Sequence, residues 1–225
     1  MKSLRDSNLF QAWLVLVLAI VFGIALAGIQ TKLGPIIEAN KLRETMKEIP
    51  ALVVGEDEAL KTGEQKTSLV IKSRIIQIKK NKVKKSYTVY DAFLEDGSLA
   101  GHVAKASGQG YADKIEVLLG LDPGGKTITG LFILDQKETP GLGNRILEKV
   151  WQNQFVDKSS SRRLVVVKAR TGNENEIDAI SGATISSRSV TGIVNNTIAD
   201  VKAHLLPPQN SKAQKNETGN IKENK

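Results

Sequence analysis

DAISGATISSRSVTGIVNNTIADVKAHLL, residues 178–206, is the stretch that decides the fold. Val190, Ile193, Val194, Thr197, Ile198, Val201 and Leu205 recur at steps of three and four, which buries one face of a helix in a core. The pattern predicts a helix over 184–206, stopped by Pro207-Pro208. Working back from it, strand-like segments come in series at 68–80, 86–94 and 99–104, the last after a turn at Asp96-Gly97. Segments 114–121 and 127–135 read as a hairpin through Asp122-Pro123-Gly124-Gly125. A helix over 144–155 and a Val-rich strand over 163–169 complete the series. Strands first and helices later predict an α+β domain.

Composition narrows the chemistry. The 225-residue chain is 40% apolar and 25% charged, ordinary for a folded domain. It contains no cysteine, which removes disulfides, thiolate metal sites, iron–sulfur ligation and a catalytic thiol. His102 and His204 lie far apart with no metal-ligand spacing, so no metal site is expected, and both read as surface or boundary residues. Aromatic residues make up only 4%, which argues against a stacking platform for single-stranded nucleic acid. Much of the net charge of +8 comes from Lys72, Arg74, Lys79, Lys80, Lys82, Lys84 and Lys85. Leu69-Val70-Ile71 and Ile75-Ile76-Gln77-Ile78 interleave those charges, so the stretch reads as a solvated strand face and not as a nucleic-acid surface. Docking to anionic lipid or to an acidic partner is the other reading.

The N-terminal region points to a membrane. No charge falls between Asp6 and Lys32, and 9–29 is almost wholly apolar, with Trp13 near one end. At about 1.5 Å per residue such a run spans roughly 30 Å, the thickness of a bilayer core. A cleaved signal peptide uses similar ingredients, with Lys2 and Arg5 as its charged end and Ala25-Leu26-Ala27 as a cleavage pattern. The length of the apolar run favours an uncleaved anchor. Lys2 and Arg5 favour a cytoplasmic N-terminus and place the remainder outside, although Lys32, Lys41, Arg43 and Lys47 blur the asymmetry. The expected organisation is a cytoplasmic tail (1–8), a transmembrane helix (9–29), a stalk or linker (30–66), the α+β domain (67–206) and a disordered tail (207–225). Within the stalk, Pro35 is expected to open a short helix that Pro50 ends.

The chemistry lies where the last helix begins. Ser181, Gly182 and Ala183 are small, so another molecule can approach the backbone. Thr184 falls near the helix N-terminus, where free N–H groups and the macrodipole favour an anion such as phosphate. Plain N-capping by a threonine is the competing reading. Asp178, on the incoming chain, is placed to orient the threonine hydroxyl or to help position a metal–phosphate during modification. A second segment, Lys137-Glu138-Thr139-Pro140-Gly141-Leu142-Gly143, combines a stiffening proline with two glycines that permit close approach to a planar ligand. A generic strand-to-helix turn uses similar residues.

Asp178-x-x-Ser181-Gly182-Ala183-Thr184 resembles the signature at which a magnesium-dependent flavin transferase, with FAD as donor, attaches FMN to a threonine through a phosphodiester. Glu138-Thr139-Pro140-Gly141-Leu142-Gly143 resembles the second hallmark of the same FMN-binding family, and Gly108-Gln109-Gly110-Tyr111 and residues 124–130 follow its usual order. With one N-terminal anchor, the layout is similar to the G subunit of the Rnf ion-translocating electron-transport complexes and to the C subunit of the sodium-pumping quinone reductases. The resemblance covers the anchor and roughly 87–206.

It implies a membrane flavoprotein, on the extracytoplasmic side of the cell membrane, that relays electrons through covalent FMN among other membrane subunits in a ferredoxin- and NAD-linked chain. It places FMN on Thr184, with Asp178, Ser181, Gly182 and Ala183 in the attachment motif. Glu138, Thr139, Gly141, Leu142 and Gly143 would line or shape the flavin site. A membrane-anchored flavin-binding sensory or regulatory module, relaying nothing, is the alternative.

Overall fold

The structure, a computed structural model, describes residues 8–55, 69–80 and 83–205. It divides into two units, Met1–Met46 and Lys47–Lys225. Helix α1 (Asn8–Val54) supplies the whole described part of the first. Trp13, Phe22, Ile24 and Leu26 along it are all more than half exposed, and it is the one helix among the described residues long and apolar enough to cross a membrane. Such a cylinder of exposed apolar side chains needs a non-aqueous surrounding, which fits a single-pass anchor.

In the second unit five strands form an antiparallel meander in sequence order: β1 (Val70–Lys80), β2 (Val83–Phe93), β3 (Leu99–Gln109), β4 (Lys114–Leu121) and β5 (Ile128–Asp135). Alternation along the strands divides the side chains between two faces. On one, Val89, Ala104, Val117, Leu119 and Ile133 belong to a core completed by Val190, Val194, Ile198 and Val201 of helix α3 (Thr184–Val201). Against the other face the end of α1 packs its buried Ile49, Leu52 and Val53. Gly120 and Gly130, paired across β4 and β5, leave the space this last helical turn occupies: a Cβ on Gly130 would stand 2.7 Å from Leu52 Cδ2, and one on Gly120 would strike the Leu52 carbonyl. The Thr129 hydroxyl donates to that carbonyl at 2.5 Å. The helix therefore runs through Pro35 and Pro50, against the expectation that Pro50 stops it. Burial and the Thr129 bond hold the last turn from outside, and Gly55 at φ +89° ends the helix, donating to the Ala51 carbonyl.

Other elements depart from their expected bounds. The helix expected over 144–155 is broken into a 3₁₀ turn (Gly143–Leu147), helix α2 (Lys149–Gln152) and a second 3₁₀ turn (Asn153–Phe155), with Glu148 extended between the first two. The break has a packing reason. Ile146 and Trp151 are five residues apart and would diverge by about 140° on one α-helix. Extension at Glu148 lets Ile146, Trp151 and Phe155 all reach the core, and the Gln152 side-chain amide donates to the Ile146 carbonyl. Strand β3 runs on to Gln109, five residues past its expected end, because Gly108 admits Ile193 of α3 where a Cβ would clash. Strands β6 (Val165–Val167) and β7 (Glu176–Asp178) form a parallel pair, of which the sequence predicts only the first. The segments 1–7, 56–68 and 206–225 lie outside the described residues, and with them the tail and most of the expected linker.

The basic stretch is strand on both sides of residues 81–82, and several of its described charges have partners in place of a purely solvated face. Arg74 donates to Asp91 at 2.7 Å and to the His204 carbonyl at 2.7 Å, tying β1 to β2 and to the turn that follows α3. Lys85 lies 3.7 Å from Asp200. His102, expected near the surface, is instead buried, its Nδ1 2.5 Å from Asp91 directly across β2. Burial alone would raise the Asp91 carboxyl, but hydrogen bonds from His102 and Arg74 outweigh it and hold the group below its ordinary value. Asp200 also accepts the buried Tyr87 hydroxyl at 2.8 Å. Tyr87→Phe strips that donor from a buried carboxylate and is expected to cost about 1–3 kcal/mol. Thermal unfolding of the full chain in detergent measures it, and a melt equal to the parent's would show the bond to be energetically idle.

Candidate flavin site

The helix that carries the motif starts at the motif's last residue. Ala183 precedes α3 with no side-chain capping bond, and Thr184 is the first helical residue. The Thr184 side chain is half-buried and makes no hydrogen bond among the described residues, so it does not cap the helix. Among the described residues the amides of Thr184, Ile185 and Ser186 have no backbone acceptor, as expected for a first turn. Behind them the turn is firmly held: Ser187 Oγ donates to the Ala183 carbonyl at 3.0 Å and accepts from the Ile180 amide at 3.1 Å. Gly182 sits at φ +78°, where an L side chain would be strained, and with Ser181 it is exposed.

The second motif comes to the same place. Leu142 is 47% exposed, and its Cδ2 lies 3.0 Å from where a Cβ on Gly182 would be. Thr139 and Gly141 are exposed beside it, and the Thr139 carbonyl accepts from the Leu142 and Asn144 amides, closing the loop. Gly143 is buried against Glu138 and Ser186. Glu138 is buried as well, hydrogen-bonded to the Tyr111 and Ala112 amides and to the Ser186 hydroxyl. Loop 139–143 and residues 181–184 therefore meet, with Thr184, Leu142 and Gly182 on the exposed side and Glu138 and Gly143 behind.

Asp178 stands apart from the threonine. Its carboxylate lies 3.1 Å from Arg170 Nε, while Gln154 and Trp151 hold its backbone N–H and C=O. None of its hydrogen bonds reaches Thr184, so in this structure it does not orient the hydroxyl. The neighbouring loop is organised by Glu176, whose carboxylate takes hydrogen bonds from the Thr171 hydroxyl, the Asn173 amide and the Thr171 backbone N–H, and is lowered from about 4.5 to about 2. A lowered carboxyl contributes stability that is present above its unfolded value and lost as pH falls through the folded one. The loop 171–176 is expected to stay closed down to about pH 3 and to open toward pH 2, read from amide exchange of Thr171. Opening near pH 4.5 would remove the Glu176 hub.

Sequence reasoning missed Ser186, Ser187, Arg170 and the Tyr111 and Ala112 amides. Three hydroxyls in the first turn of an amphipathic helix were the available signal for the serines. Nothing local marks a backbone amide as a partner of a glutamate 27 residues away.

The arrangement suits a phosphate on Thr184 carrying a flat apolar group. The hydroxyl is free, first-turn amides are available, the backbone at 181–182 is open, and Tyr111, Leu142 and Ile185 expose apolar surface on the three adjoining segments. Residues 110–199 match the family described as the FMN-binding domain.

That stretch resembles an FMN-binding domain and takes in less than half of the chain. The chain is 44% identical over 105 residues to the G subunit of the Na(+)-translocating ferredoxin:NAD(+) oxidoreductase complex of Acetobacterium woodii, covering 46% of this chain and 50% of that protein. It is 35% identical over 114 residues to the G subunit of the ion-translocating oxidoreductase complex of Methanosarcina acetivorans, covering 51% and 58%. With the C subunit of the Na(+)-translocating NADH-quinone reductase of Neisseria meningitidis serogroup A it shares 29% over 160 residues, covering 67% and 58%. The match thus spans 50–58% of these relatives' length. The crystal structure of the corresponding C subunit of the Na(+)-translocating NADH-quinone reductase from Parabacteroides distasonis shares the fold, with a TM-score of 0.56 at 22% identity over 74% of this chain and 93% of that one.

Proposed function

We propose that this chain is a membrane-anchored electron-carrier subunit of an Rnf-type ion-translocating complex, bearing FMN covalently on Thr184. The observation that carries the reading is the Thr184 hydroxyl on the first turn of α3, without a hydrogen-bond partner among the described residues and two residues from Gly182, against which the exposed Leu142 lies. Thr184 would hold the group as a phosphodiester: its hydroxyl oxygen would take the flavin-side phosphoryl group of FAD with AMP as the leaving group, and the magnesium-dependent flavin transferase would receive the hydroxyl proton. The helix N-terminus then faces the phosphodiester charge. Asp178, Ser181 and Gly182 form the surface the transferase reads, with the buried Ala183 seating the turn behind them. Thr139, Gly141 and Leu142 border the flavin, which supplies the capacity to take electrons one or two at a time while the protein positions it.

The relatives named as subunits of translocating complexes support membrane partner subunits and a ferredoxin- and NAD-linked electron path. The apolar run 9–29 supplies the anchor, and Lys2 and Arg5 favour a cytoplasmic N-terminus with the flavin domain outside. There a covalent tether prevents loss of cofactor by dilution, since it replaces a binding equilibrium with a permanently high effective concentration.

Intact-mass measurement of the full chain, produced with an active transferase, tests the reading. The expected mass is that of the polypeptide plus one FMN phosphodiester, on the peptide that contains Thr184. Bare polypeptide overturns it. Isolation from native membranes in mild detergent as a lone flavoprotein, without partner subunits, would favour the sensory-module alternative.

A further inference from the structure

We propose that Glu138 is the positioning residue of the flavin site, holding together the three chain segments that form it while making no contact with the cofactor. The proposal rests on Thr184 as the attachment point. Lys137, Thr139, Pro140, Gly141 and Leu142 around Glu138 are all exposed, yet Glu138 is 4% exposed. A carboxyl group turned inward from an exposed loop is costly unless its oxygens are satisfied, and here they are. One oxygen accepts from the Tyr111 amide at 2.9 Å and the Ala112 amide at 3.1 Å, and the other accepts from the Ser186 hydroxyl.

Those partners lie on three separate stretches of chain. Tyr111 and Ala112 are in the turn between β3 and β4, Glu138 begins the loop after β5, and Ser186 is two residues beyond Thr184 in α3. Two glycines leave room for the clamp. A Cβ on Gly110 would strike the Glu138 carboxyl, and a Cβ on Gly143 would stand 2.8 Å from both the Glu138 side chain and Ser186 Oγ. Gly110 and Gly143 are thereby explained by space for the carboxyl group rather than by approach of a ligand.

Each clamped segment presents one exposed apolar side chain: Tyr111, Leu142 and Ile185. With three hydrogen bonds drawing both of its oxygens inward and only 4% of the residue exposed, Glu138 faces the clamp and not a flavin. It acts through these neighbours, setting where Leu142 lies over Gly182 and how the first turn offers the Thr184 hydroxyl.

The test compares Glu138→Ala, Glu138→Gln and Ser186→Ala in the full chain, with purified transferase and FAD. The readouts are the rate of covalent flavin attachment and the visible circular dichroism of the attached flavin. A side-chain amide can make all three bonds, its oxygen accepting the two N–H groups and its NH₂ donating to Ser186 Oγ. Glu138→Gln is therefore expected to attach flavin within about 3-fold of the parent rate, with the parent spectrum. Glu138→Ala is expected to be slower by roughly 10- to 100-fold, the scale of a displacement near 1 Å in a reacting pair, and to show an altered spectrum.

A folded Glu138→Ala with the parent rate and spectrum overturns the proposal, as does a Glu138→Gln as impaired as the alanine variant. Should Glu138→Ala fail to fold, Ser186→Ala decides, since it removes a single bond: a changed spectrum supports the clamp, and an unchanged spectrum and rate overturn it. If covalent flavin persisted in Thr184→Val, the attachment site would be at fault and not the clamp.

Discussion

Thr184→Val is expected to carry no covalent flavin and to fold like the parent. Valine keeps the β-branched shape and similar helix propensity, and deletes only the oxygen that would become the phosphodiester. That oxygen makes no hydrogen bond among the described residues and does not cap the helix, so its removal is expected to change stability by about 0.5 kcal/mol or less. Chemistry and folding are thus separable at this position. In-gel fluorescence after denaturation and intact mass, on material produced with an active transferase, measure the first; a thermal melt measures the second. Persistent covalent flavin would move the attachment elsewhere. Of the other hydroxyls in the motif and first turn, Ser186 and Ser187 are buried and hydrogen-bonded, which leaves Ser181 as the exposed alternative.

Gly120→Val is expected to give the largest loss of stability among the glycine substitutions considered. The added Cβ meets the Leu52 carbonyl and lies 2.6 Å from Thr129 Oγ1. The first obstacle is backbone, which cannot rotate aside, so the last turn of α1 must lift from the sheet and give up the Thr129 bond. Overpacking typically costs about 1–3 kcal/mol, and a backbone obstacle places this variant at or above the upper end. For a chain of this size roughly 3 kcal/mol corresponds to a fall in Tm of about 6–12 °C. Gly124→Ala is the control, because its Cβ would meet nothing nearer than 3.6 Å. If the two variants melted together in detergent, close approach of helix and sheet at Gly120 would contribute nothing.

Both results turn on features of different visibility in the chain. The α3 periodicity, the strand series and the motif ending at Thr184 are local patterns, and the structure has these elements in the expected order, with α3 starting at Thr184 and β3 running longer than its pattern. Fragmentation of 144–155 was hidden, because the composition of the segment is helical throughout; only the need to bury Ile146 and Trp151 together breaks it at Glu148. Burial of His102 was hidden likewise. Asp91 lies 11 residues away in sequence, and only the β2–β3 register sets the two opposite each other. Pro50 misled for a related reason. Proline lowers the local preference for helix, but burial of Ile49, Leu52 and Val53 restores the turn.

For the site, the division falls between chemistry and support. Sequence alone determined the α+β class, the apolar span, and the small-residue motif that leaves a threonine at a helix start, because period, residue volume and hydrogen-bonding capacity are properties of neighbours along the chain. Tertiary structure decided that Thr184 is free rather than a cap, that Asp178 pairs with Arg170, and that Glu138 faces inward to the amides of a distant turn. Those outcomes depend on which segments the sheet brings within about 3 Å of one another, and hydrogen bonds act only at that range.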